Sequence, residues 1–79
     1  MEKTLIIYRE YLNGNKEVFR KTKFRYNALK VAYRQALSII RILDRGDWVM
    51  QFDNDFLYAI TRMDKDIDYI YTVEVIENA

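Results

Sequence analysis

Apolar positions recur along this chain with two different periods. Between Asn27 and Arg45, in NALKVAYRQALSIIRILDR, Leu29, Ala32, Tyr33, Ala36, Leu37, Ile40 and Leu43 fall on one arc when residues are spaced by about 100°. That recurrence predicts one long amphipathic helix. Ala, Leu, Lys, Arg and Gln fill much of the remainder, and these side chains lose little rotamer freedom in a helix. Asn27 is suited to the N-cap, where its side-chain oxygen accepts from an orphan N–H. Gly46 is suited to the left-handed position that stops a helix.

The rest of the chain reads as strands. Residues 4–12 (TLIIYREYL) and 16–24 (KEVFRKTKF) flank Asn13-Gly14, a strong short-range hairpin signal. A two-residue turn there sets Tyr8 against Phe19 and Arg9 against Val18. Leu5, Ile6, Ile7 and Tyr8 are consecutive, so the first strand declares no inward face. Residues 48–52, 56–63 and 68–77 predict three further strands. Asp53-Asn54-Asp55 supplies turn chemistry between the first two. A tight turn at Lys65-Asp66 sets Phe56 opposite Val75, Tyr58 opposite Val73, Ile60 opposite Tyr71 and Arg62 opposite Tyr69. A three-residue loop at 53–55 then adds Trp48, Met50 and Phe52 to that same face. Leu57, Ala59, Thr61, Ile70, Thr72, Glu74 and Ile76 line the other face, which is half-polar.

The predicted order is ββαβββ, an α+β chain forming a single domain over residues 1–79. Its sheet is mostly antiparallel, one long helix packs on one face, and the other face stays open. Seven Tyr, four Phe and one Trp supply material for a core, which argues against disorder.

Charge adds a feature that periodicity does not show. Residues 1–43 hold ten bases against three acids, and residues 44–79 hold three bases against nine acids. Two halves attracting one another in one sheet would account for this, and so would charged partners. On the helix, Lys30, Arg34, Arg41 and Arg45 project within about 60° of one another with no acid interleaved. A solvated cationic face explains such a ridge. The sharper reading is a docking ridge for phosphates or an acidic protein surface.

Candidate chemistry is thin. The chain has no cysteine and no histidine, which removes the thiolate ligand, the usual general base and the commonest metal ligand. Ser38 has no histidine to activate it. Asp64, Asp66 and Asp68 match the opening of a calcium loop, yet Tyr69 stands where its glycine belongs and Val75 where its final Glu belongs. Asp53 and Asp55 lie at the opposite end of a strand from Asp64 and Asp66, on the order of 25 Å away, too far to work as carboxylate pairs. No cofactor, metal or catalytic residue is assigned. MEKTLIIYREYL is too charged for a signal peptide, and no stretch reaches the ~20 apolar residues of a membrane span. A cytoplasmic chain without a membrane is expected.

Function is therefore expected to be non-enzymatic. The first reading is a protein-binding module, a small inhibitor or regulator of the kind phages use against host defence or regulatory proteins. Lys30, Arg34, Arg41 and Arg45 are its candidate contacts, with Asp53, Asp55, Asp64, Asp66 and Asp68 as the alternative surface. The second reading is a small nucleic-acid-binding protein using the basic helix ridge together with Lys21, Lys23 and Arg25. A homo-oligomer through Val31 and Ile42, or through the open sheet face, is compatible with either.

Overall fold

The computed structural model describes residues 2–25 and 28–77. Among them the order is β1 (Lys3–Tyr11), β2 (Lys16–Phe24), α1 (Leu29–Leu43), β3 (Trp48–Asp53), β4 (Phe56–Arg62) and β5 (Tyr69–Glu77). The five strands form one antiparallel sheet in the order β2-β1-β5-β4-β3, and α1 packs on one face. This is the small ββαβββ α+β fold that the pattern predicts. Helix α1 carries the chain from one edge strand to the other.

The helix buries Ala32, Tyr33, Ala36, Leu37 and Ile40, five of the seven residues on the predicted arc. Leu29 and Leu43, at its ends, overhang the sheet and are exposed. Beneath it lie Leu5 and Ile7 of β1, Trp48 of β3, Ile60 of β4 and Tyr71 of β5, none with any exposure. The inward face of β1 is thus Leu5 and Ile7. Ile6 points to the opposite face, where neighbouring strands on both sides still bury it.

Both ends of α1 differ from expectation. The Asn27 cap lies outside the described residues, and Ala28 precedes the helix in extended conformation without a side-chain cap. At the other end Gly46 is not in the left-handed region. The chain leaves the helix at Asp44, and the indole N–H of Trp48 takes the Asp44 carbonyl at 2.6 Å. Gly46 serves a different need: a Cβ there would sit 2.5 Å from Arg62 Nε.

Two bulges correct the predicted registers. In the first hairpin Gly14 alone is left-handed. Its N–H bonds the Tyr11 carbonyl while the Tyr11 N–H bonds the Asn15 carbonyl. That is a three-residue loop with a glycine bulge, not a two-residue turn. Tyr8 consequently pairs Val18 and Arg9 pairs Glu17. The offset is absorbed at Phe19, beyond which Ile7 meets Arg20 in the register a two-residue turn would give. In the β3–β4 hairpin, Asp53 pairs Phe56 across a two-residue turn with Asn54 at φ 56°. The extra residue is Tyr58. Leu57 therefore turns inward opposite Phe52, leaving Phe56 and Tyr58 exposed. A bulge shifts side-chain parity, which simple alternation does not detect. Ile60 does pair Tyr71.

The two charged halves meet in only two ion pairs among the described residues. These are Lys3–Glu77 at 3.5 Å and Arg9–Asp44 at 3.7 Å. The remaining pairs join charges within one half.

Candidate functional site

The cationic ridge is divided by the structure. Lys30 and Arg34 project from the outer face of α1, exposed and without an ion pair among the described residues. Arg41 is exposed but engaged: its Nη2 donates to the Trp48 backbone carbonyl at 2.8 Å. Arg45 lies past the last helical residue, so helical phase no longer places it. Beside Lys30 and Arg34 is a shallow, open groove lined by Val31, Arg34, Gln35 and Ser38. Ile42, 73 % exposed, continues its apolar side by helical spacing. The outer face therefore carries two unpaired cations beside a mixed strip in which Gln35 and Ser38 separate Val31 from Ile42.

The acidic candidates do not converge. Asp53 and Asp55 are at the β3–β4 turn, whereas Asp64, Asp66 and Asp68 lie between β4 and β5, at the other end of β4. Asp64 is held by Arg62 through bonds of 2.6 and 3.1 Å. That pairing, opposed only in part by desolvation, lowers its carboxyl to about 2. Asp66 and Asp68 are exposed, and the Asp68 carbonyl accepts from the Leu12 N–H. No group of three or more potential metal ligands is assembled among the described residues.

The densest polar arrangement is one the periodicity argument missed. Asp44, at the end of α1, accepts from the hydroxyls of Tyr69 and Tyr71, each at 2.7 Å. Tyr71 in turn accepts from Arg9 Nη2 at 2.7 Å. The Arg9 guanidinium lies against the rings of Tyr69 (4.5 Å), Phe19 (4.8 Å) and Tyr71 (5.4 Å), and Trp48 packs edge-on to Tyr71. Burial works against the Asp44 charge, but the two tyrosine hydroxyls and Arg9 outweigh it and hold the carboxyl below its usual range. Burial likewise opposes the Arg9 charge, and hydrogen bonds to Tyr71 and Tyr11 reverse the balance. Burial and Asp44 together push both tyrosines up. Each hydroxyl and carboxylate contact closes on another member of the cluster. The arrangement fixes the end of the helix to β1 and β5. One signal was in the sequence: Asp44 falls near the apolar edge of the helical wheel, where an acid requires a partner.

No described helix is long and apolar enough to cross a membrane. No family model, curated protein or solved structure matches the chain.

Proposed function

We propose that this chain is a non-enzymatic protein-binding module, a small inhibitor or regulator that docks an acidic partner on the outer face of α1. One observation carries the reading. Lys30 and Arg34 stand unpaired beside a groove lined by Val31, Gln35 and Ser38, while Arg9, Lys3, Lys23, Arg25 and Arg62 all meet acids of the chain itself. Unpaired cations steer an acidic surface toward this face and set its register, while Val31 and Ile42 supply apolar contact and Gln35 and Ser38 supply hydrogen-bonding groups. The absence of histidine and cysteine supports the non-enzymatic reading.

A nucleic-acid partner is less well served. Of the cations on β2 and just after it, Lys23 and Arg25 are paired with Glu2 and Lys16 packs over the Tyr8 ring at 4.4 Å, which leaves Arg20 and Lys21 exposed without an ion pair among the described residues. Fewer free charges remain for phosphates than the sequence suggests.

The test is Lys30→Glu with Arg34→Glu, checked for intact folding by circular dichroism. A complex isolated with the parent protein should be lost with the variant. Binding to mixed RNA and DNA in a gel shift should be negligible for both. Steeply salt-dependent nucleic-acid binding that the reversal abolishes would replace this reading with the second one. An unchanged complex would remove the helix face from consideration.

A further inference from the structure

The two edges of the sheet are protected very differently. Edge strand β2 carries Lys16, Arg20, Lys21 and Lys23 and is distorted by the Phe19 bulge, both of which discourage pairing with another chain. Edge strand β3, WVMQFD, has no lysine, arginine or proline, and the bulge in its hairpin lies in β4, on the side already paired.

The bond from the Met63 N–H to the Asp47 carbonyl shows which β3 groups are free. Alternate residues of an antiparallel strand bond toward the partner strand, so Asp47, Val49 and Gln51 face β4. Trp48, Met50 and Phe52 then turn their N–H and C=O groups outward. Arg41 covers the Trp48 carbonyl. The outward groups of Met50 and Phe52 meet no described residue. Val49 and Phe52 are exposed along this edge, at 37 % and 44 %.

Charge selects the occupant. The edge is bracketed by Asp47 and Asp53, both exposed. A second copy pairing antiparallel about Met50 would set Asp47 of one chain against Asp53 of the other, twice, and like charges directly opposite are destabilising. A basic strand turns the same two positions into attractions.

We propose that the free edge of β3 takes an extended segment of a partner protein by β-augmentation. The segment runs antiparallel, centres on Met50, and carries a lysine or arginine opposite each of Asp47 and Asp53. Backbone bonds to Met50 and Phe52 hold the strand, and the bracketing charges set its register. This surface is separate from the outer face of α1, so reversing Lys30 and Arg34 leaves it intact.

The probe is a capped peptide of alternating valine and threonine with a lysine at each end, spaced as Asp47 and Asp53 are. Amide hydrogen exchange of the protein with this peptide should show new protection at Met50 and Phe52. The same peptide ended in glutamate should bind at least about tenfold more weakly, since the bracketing charges then repel. Asp47→Lys with Asp53→Lys, both at exposed positions, should invert that preference. Equal binding of the two peptides, or no protection at millimolar peptide, would overturn the proposal. So would protection of Met50 and Phe52 that rises with protein concentration alone, which would identify a second copy as the occupant.

Discussion

The Tyr71 hydroxyl donates to Asp44 at 2.7 Å across 27 positions of the chain, and it is itself the acceptor of an Arg9 hydrogen bond. One oxygen thus links β5, the end of α1 and β1. Tyr71→Phe keeps the ring, which packs against Trp48 and Phe19, and removes only that oxygen. The expected loss is about 1–3 kcal/mol, because a half-buried guanidinium loses an acceptor and a carboxylate loses a donor. Tyr8→Phe, on the open face, should cost little. Urea denaturation of both variants checks the contrast.

The same cluster makes stability depend on pH at both extremes. Asp44 is held below its unfolded value of about 3.9, so its contribution is present above about pH 4 and lost as pH falls through the folded value. Tyr71 is raised above its unfolded value of about 10, so the neutral phenol is favoured in the fold. That contribution is complete below about pH 10 and is lost as pH rises beyond it. Denaturation midpoints measured across pH should show both limbs. Asp44→Asn should flatten the acid limb and Tyr71→Phe the alkaline one; limbs unchanged in either variant would show that other groups carry them.

Gly46 is predicted to matter through Arg62 alone. A Cβ at Gly46 would lie 2.5 Å from Arg62 Nε, which bonds Asp64, while the guanidinium lies 5.8 Å from the Trp48 ring centre. A guanidinium can swing away where backbone cannot. Gly46→Ala should therefore destabilise the fold only mildly, since surface ion pairs and cation–π contacts contribute little. The cost should vanish in an Arg62→Ala background, which a double-mutant cycle detects. Carboxyl NMR should find Asp64 titrating at about 2 in the parent and closer to the usual value of about 3.9 in Gly46→Ala.

Along α1, burial should rank the variants. Ile40→Ala removes a side chain with no exposure and should cost about 2–5 kcal/mol. Leu43, 53 % exposed, sits on the same predicted arc, yet Leu43→Ala should stay within about 0.5 kcal/mol. Thermal melts of the two variants decide whether the arc is buried along its full length or only at its centre.

What was legible in the sequence followed from repetition. The helical arc named Ala32, Tyr33, Ala36, Leu37 and Ile40, and strand alternation placed Ile60 against Tyr71. What was not legible came from single residues that interrupt a pattern. Phe19 and Tyr58 are bulged, and one inserted residue reverses the parity of everything on its far side. Asn13-Gly14 signals a hairpin without fixing its loop length. Gly46 looked like a helix stop because left-handed backbone and close approach demand the same residue. The link from Arg9 to Asp44 spans 35 positions, so no local window contains it. The candidate site was legible only as composition. Four cations share a helical phase, but Arg41 reaching back to Trp48 depends on where β3 lies.

The place of β5 in the sheet has a consequence for how the chain acquires its structure. β5 lies between β1 and β4, and it joins a β1–β2 hairpin to a β3–β4 hairpin that are not hydrogen-bonded to each other. Each hairpin closes through near neighbours, but neither completes a core before residues 69–77 arrive. During synthesis the chain must hold Leu5, Ile7 and Ile60 exposed until residues 69–77 have left the ribosome. Pairing Lys3 with Glu77 also closes a loop across 74 positions, and such distant contacts slow the search for the native state. Folding here is gated by the arrival of its central strand.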